Sequence, residues 1–201
     1  MWKMVLLTAV ISNVAKGCLY KNLECPDYAV VEQHTDYEVR SYKAMTWATV
    51  VEESMLVRIA QIKAFERLLR YISGENDKGM TMNMTVPVRV QATEYKFHCT
   101  VEMSFMVPSI YAINPPVPND TGITVARNEP ALYVVKSFPG YVWRKGAWKE
   151  EARKLADSLK NDNTVIKTKY YLVGYDAPLD FYNRRNEIWM VKRAGKREKE
   201  M

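Results

Sequence analysis

The side chains best suited to metal ligation or nucleophilic chemistry are few: two histidines, His34 and His98, and three cysteines, Cys18, Cys25 and Cys99, in 201 residues. No Cys-x-x-Cys pair, Cys/His zinc spacing, Ser-His-Asp set, Cys-His pair or phosphate-binding glycine loop connects them. Catalysis is left with isolated carboxylates such as Glu187, which could act as a base only in a pocket. Binding chemistry is better represented. Met55, Ile59, Ile62, Phe65, Leu69 and Ile72 recur every three or four residues and form one apolar stripe, with Arg58, Lys63, Arg67 and Arg70 off it. Such a stripe serves either as core or as the wall of a ligand groove. Arg185-Asn186-Glu187 places a carboxylate beside a cation, the pairing a buried Glu requires.

The elements that would position these residues follow from periodicity. Ser54 reads as an N-cap and Gly74 as a stop, so the stripe lies on a first helix. Strands are predicted over Tyr28 to Gln33, Tyr37 to Tyr42 and Met45 to Val51 before it, and over Met80 to Val90 and Tyr95 to Val107 after it. In the last of these, Phe97, Cys99, Val101, Met103 and Phe105 alternate with His98, Thr100, Glu102 and Ser104. Pro108 to Gly122 reads as a linker. Further strands, Ile123 to Arg127 and Ala131 to Phe138, precede a second helix marked by Trp148, Ala152, Leu155 and Leu159; Lys167 to Tyr175 and Asn186 to Lys192 then close the sheet. Tyr37-Glu38-Val39-Arg40-Ser41-Tyr42 is echoed by Tyr133-Val134-Val135-Lys136-Ser137-Phe138, and the same 96-residue offset carries Trp47 onto Trp143. The reading is an α+β fold: a distorted antiparallel β-barrel of two pseudo-repeated halves, about 27–108 and 122–193, within one domain from 18 to 201, with two helices packed outside.

A hydrophobic content of 48% and a charged content of 26% describe a globular protein. The net charge of +6 is dispersed, apart from Lys192-Arg193 and Lys196-Arg197, which read as a solvated end, and no nucleic-acid module is present. Lys3, the run Met4 to Ile11 and the small residues Ala15 and Gly17 have the form of a signal peptide over 1–17, too short to span a bilayer. Secretion is the expectation and a cytoplasmic chain with an amphipathic tail the alternative. Cys18 and Cys25 would follow the cut, where an oxidising compartment could join them, whereas Cys99 reads as buried and free. Asn119-Asp120-Thr121 is a sequon usable on secretion; Asn83-Met84-Thr85 falls in a predicted strand and is not expected to be used.

Four runs carry a family resemblance: Asn76 to Gly79, Met82-Asn83-Met84-Thr85-Val86-Pro87-Val88, Gly174-Tyr175-Asp176-Ala177-Pro178 and Arg184-Arg185-Asn186-Glu187-Ile188-Trp189. Together they resemble the SOUL/heme-binding protein family over about residues 27 to 193, most closely its heme-binding protein 1 branch. The resemblance implies a duplicated distorted barrel that binds heme or related tetrapyrroles non-covalently. It places the pigment beside the first helix and a C-terminal loop, at Ile59, Ile62, Lys63, Phe65, Glu66, Leu69, Arg70, Asp180 and Phe181. Some members carry an iron-ligating histidine where Ser41 stands, so iron ligation is not expected and His34 is the remaining candidate. Ile62 and Asp180 replace basic residues of relatives, which leaves Arg70 as the anchor for a propionate. In related gyrase-inhibitor-like folds a carboxylate placed like Glu187 senses flat cations.

The functional expectation is a monomeric tetrapyrrole carrier or buffer, not an enzyme, with no nucleic-acid partner and no membrane span. The alternative is a protein-binding signalling module of the same fold with little or no pigment binding.

Overall fold

The computed structural model describes residues 18–140, 142, 146–177, 180 and 182–193. The predicted signal peptide, Trp143 and Phe181 lie outside them. Two short strands, β1 (Leu19–Tyr20) and β2 (Leu23–Glu24), form a hairpin closed by a Cys18–Cys25 disulfide. Nine more strands follow: β3 (Tyr28–Gln33), β4 (Glu38–Tyr42), β5 (Met45–Ser54), β6 (Val88–Glu94), β7 (Cys99–Met106), β8 (Ile123–Asn128), β9 (Ala131–Pro139), β10 (Val165–Gly174) and β11 (Arg185–Lys192). Helix α1 (Val57–Ile72) lies between β5 and β6, and α2 (Ala147–Ser158) between β9 and β10. The nine strands make one antiparallel sheet in the order β3-β4-β9-β11-β10-β6-β7-β5-β8, curled into a half-barrel.

Strand alternation sorts side chains onto two faces. On the outer face, Cys99, Val101, Met103 and Phe105 of β7 meet Ala60, Ala64, Leu68 and Tyr71 of α1. Farther along that face, Val39, Val134, Ile188 and Met190 meet Ala152 and Leu155 of α2 and the following Leu159. The intervening positions, among them Tyr42, Tyr133, Val135, Val173, Tyr175 and Trp189, pack together on the inner face.

The fold is duplicated, though not at the offset of the sequence echo. Strand order is symmetric about the β6–β10 pair, and the repeating unit is strand-helix-strand-strand: β5-α1-β6-β7, then β9-α2-β10-β11. Met45 corresponds to Ala131, an offset of 86, and Met106 to Val191, an offset of 85, these last being the cross-strand partners of Trp47 and Tyr133. The 96-residue echo instead lays β4 on β9, which are hydrogen-bonded neighbours, Glu38 opposite Val135 and Val39 opposite Val134. Echoed residues even face opposite ways, Tyr37 and Val39 toward the outer core but Tyr133 and Val135 toward the inner one, so the likeness is one of composition and not of equivalence. Nor do β10 and β11 close the sheet; they occupy its centre and join the halves.

Two strand boundaries also differ from expectation. Continuous pairing begins only at Val88: Pro87 has no N–H to donate, and before it Thr81 and Thr85 make isolated bridges to Ser73 and Glu24. The buried Asn76 amide donates to the carbonyls of Tyr71 and Met80, and its oxygen accepts from Met80 N–H, which ties the end of α1 to the turn. Tyr95–His98 is a hairpin turn, with Tyr95 N–H donating to His98 O (2.8 Å), and it leaves Phe97 76% exposed. Alternation continues through that turn in sequence but not in pairing.

Arg67 fastens α1 to its surroundings. Its Nε and Nη2 donate to Asp120 at 2.7 and 2.6 Å, and Nη1 donates to Glu52 on β5. A Cβ at Gly122 would lie 2.1 Å from Arg67 Nη2, so glycine is what lets the linker come this close. The Arg67 hydrogen bonds outweigh burial and, with Gly122 N–H, hold the Asp120 carboxyl at about 2, below its ordinary 3.8. A depressed carboxyl stabilises the fold above its unfolded pKa and loses that contribution as pH falls through the folded one. Asp120→Asn is therefore expected to destabilise the protein at neutral pH, and the difference from wild type should vanish between about 3.8 and about 2. Urea denaturation across that range measures it.

Candidate functional site

Helix α1 presents two different apolar faces. Ala60, Ala64, Leu68, Tyr71 and Ile72 are buried against the sheet. Of the stripe read from sequence, only Ile72 joins them. Met55 is 83% exposed, Ile59 41%, Ile62 46% and Leu69 41%, while Phe65 is half-buried, edge-on to Phe105 at 5.3 Å. Steric size decides this outcome. Ala60 and Ala64 let the helix approach the strands closely, so the small residues become the packing ridge and the larger ones turn outward. At 3.6 residues per turn, Ile59, Ile62, Lys63, Glu66, Leu69 and Arg70 share the arc away from the core, and Phe65 sits at its border, packed against the core. Ile59, Ile62 and Leu69 thus form an exposed aliphatic surface, a candidate for ligand contact.

The cations around it divide into two groups. Arg67 is engaged with Asp120 and Glu52. Lys63 and Arg70 are exposed; Arg70 Nε faces Glu75 at 3.6 Å with both side chains more than half in solvent. Asp180 is exposed, 3.8 Å from Lys21 Nζ, and its carbonyl accepts from Arg184, so these contacts tie it to the β1–β2 turn. Phe181 is outside the described residues.

Neither histidine belongs to the α1 surface by its contacts. His34 stacks on Tyr37 (4.3 Å) and lies 3.3 Å from Glu32, within its own hairpin; His98 stacks on Tyr95 (4.5 Å). Ser41 pairs through its backbone with Leu132 and Ala29. Among the described residues no group of three or more His, Cys, Asp or Glu could hold a metal ion.

The inner face holds the strongest electrostatics. Glu187 is fully buried, and five side chains donate to it: Arg40 Nη1 (3.0 Å), Arg185 Nη2 (2.6 Å), Ser137 Oγ (3.1 Å), Tyr175 Oη (3.2 Å) and Trp189 Nε1 (2.6 Å). Burial alone would push its carboxyl up, but Arg40 and Arg185 outweigh burial and keep it below the ordinary range. Burial and the charge of Glu187 both push the Tyr175 phenol up. With its lone pairs this fully used, Glu187 is a structural charge, which answers the pairing expected from Arg185-Asn186-Glu187. Sequence reading missed Arg40 and Arg89. Each stands between residues of strand type, and the only signal was its parity: Arg40 shares a face with Tyr42, and Arg89 alternates with Val88 and Val90.

A sequence model of the family described as SOUL heme-binding protein matches residues 23–191. The chain belongs to that family. It is 30% identical to heme-binding protein 1 of Sus scrofa over 187 residues, 90% of this chain and 98% of the relative. It is 32% identical to heme-binding protein 2 of Homo sapiens over 191 residues, 90% and 92% respectively. Among solved structures, the EcmrR C-terminal domain shares the fold at a TM-score of 0.54 and 14% identity, covering 84% of this chain and 99% of that one. A hydrolase encoded by lin2189 from Listeria innocua shares it at 0.50 and 13%, covering 77% and 90%.

Removing the central carboxylate leaves buried Arg40 with Glu38 alone and takes the carboxylate partner from half-buried Arg185. Glu187→Gln is expected to cost about 3–5 kcal/mol of stability, the usual penalty for breaking a buried ion pair. Guanidinium denaturation tests this, and a loss under about 1 kcal/mol would mean that the network is dispensable.

Proposed function

We propose that this protein binds heme or a related tetrapyrrole non-covalently across the outer arc of α1, as a carrier or buffer without a histidine iron ligand and without catalysis. The observation that carries this reading is the outward turn of Ile59, Ile62 and Leu69 beside half-buried Phe65, with Lys63 and Arg70 at the edge. A tetrapyrrole is a broad apolar plate with two carboxylates on one side, and this surface fits both features. The iron, when present, would supply redox and ligand-binding chemistry; α1 itself has no His, Cys or Met to coordinate it. Burying a few hundred Å² of plate at roughly 25 cal/mol per Å² gives several kcal/mol before association costs. Exposed ion pairs to Lys63 and Arg70 add about 0–1 kcal/mol each. Recognition then rests on shape and apolar contact. Family membership supports heme binding in general terms.

Titration of the purified protein with heme and with metal-free porphyrin tests this. Comparable affinities are expected, and both should fall at least about tenfold in Ile62→Glu, equivalent to 1.4 kcal/mol, with little change in thermal stability at so exposed a position. His34→Ala should leave both unchanged. Tight binding of heme alone, lost in His34→Ala, would restore iron ligation, while binding of neither pigment would favour the protein-binding reading.

Secretion is part of the same proposal. The Cys18–Cys25 disulfide is what an oxidising compartment would produce, and Asn83 and Asn119 are both exposed. The mature chain is expected to begin at or near Cys18 when its N-terminus is sequenced from an expressing cell; an intact Met1 would refute it.

A further inference from the structure

The predicted strand over Met80 to Val90 is the reason for setting Asn83 aside as a glycan acceptor, and the fold removes that reason. Strand β6 starts only at Val88. Asn83-Met84-Thr85 runs irregularly between the bridges of Thr81 to Ser73 and Thr85 to Glu24, and Asn83 is exposed. Asn119 is also exposed, on the linker, and its N–H donates to Glu75 O (3.2 Å). The two sequons meet at one place. Met82, next to Asn83, donates its N–H to the carbonyl of Ile72, the last residue of α1 (2.7 Å), and Glu75 lies in the turn just beyond that helix end.

Glycan transfer needs the Asn amide and the hydroxyl two residues on together. The two hydroxyls differ. Thr121 is exposed in the fold. Thr85 is 2% exposed, and its Oγ1 donates to Met106 O at 2.6 Å. Met106 stands 21 residues farther along the chain, at the end of β7. Asn83 therefore offers a complete sequon only until β7 is laid beside it. The same end of the molecule also has apolar surface to cover. Val117, which donates its N–H to Asp77 Oδ1 in the turn after α1 (2.6 Å), is 62% exposed, and Ile113 on the same linker is 81% exposed. A glycan is hydrophilic bulk suited to such a place.

We infer that Asn83 and Asn119 are both N-glycosylated on the secretory route, Asn83 before β7 pairs, which sets two glycans side by side at the C-terminal end of α1. The inference rests on the secretion proposed above, because the donor, an oligosaccharide carried on a lipid pyrophosphate, is met there. In each transfer the side-chain nitrogen forms a bond to the anomeric carbon of the oligosaccharide. The bond from that carbon to the pyrophosphate oxygen breaks, the lipid pyrophosphate leaves with the electron pair, and one amide proton is released.

The test expresses the full chain in a secreting eukaryotic cell line, once as it stands and once behind a cleavable signal peptide from another secreted protein. Peptide N-glycosidase digestion in heavy-oxygen water converts each glycosylated Asn to labelled Asp, so mass spectrometry reads the two sites separately without any substitution. Both should be labelled, and Asn83→Gln and Asn119→Gln should each remove one of two glycosidase-sensitive steps in gel mobility. Folded, disulfide-bonded chain made without glycans, given solubilised oligosaccharyltransferase and its lipid-linked donor, should stay unmodified at Asn83, whereas the reduced and unfolded chain accepts a glycan there. An unlabelled Asn83 or Asn119 in chain secreted behind the borrowed signal overturns the inference, as does equal modification of Asn83 in folded and unfolded chain. Labelling of both sites behind the borrowed signal but of neither in the unaltered chain supports the inference and refutes the secretion reading alone.

Discussion

A carboxylate without solvent, Glu187, is the constraint around which the half-barrel is arranged. Its charge is tolerable only because Arg40 comes from β4, Arg185 from its own strand, Ser137 from β9 and Tyr175 from the end of β10. Those four segments must be curled around one point for the donors to converge, so the network specifies curvature as well as charge balance. An open, flat sheet would strand two guanidinium groups and a carboxylate in apolar surroundings among Tyr42, Tyr133 and Trp189.

With the inner face so occupied, both helices pack outside, and the manner of their packing creates the proposed binding surface. Ala60 and Ala64 bring α1 close to β5 and β7, Arg67 pins its flank to Glu52 and Asp120, and Asn76 fixes its exit. The bulkier aliphatic residues have nowhere to go but outward. The proposed tetrapyrrole surface is thus a by-product of close helix–sheet approach, and it needs no enclosed cavity to work. Its selectivity would be modest, because an apolar arc with two solvated cations discriminates by shape more than by charge.

Sequence by itself determined the element types, the linker, the free buried Cys99 and the membership signalled by motifs such as Gly174-Tyr175-Asp176 and Arg185-Asn186-Glu187, because local periodicity and turn chemistry are written in adjacent residues. It also placed Ile59, Ile62, Phe65 and Leu69 on one helical stripe. Which way that stripe faces was decided only by tertiary packing, since Ala60 and Ala64 win the core by being small, a comparison no periodicity makes. The repeat was legible as a repeat but not in register, because β4 and β9 resemble one another as neighbours rather than as copies. Arg40 and Arg89 look like surface charges in a strand until partners 147 residues away for one, and two aromatic rings for the other, show them to be buried. Burial of charge is a property of what surrounds a residue, and the surroundings are assembled from distant parts of the chain.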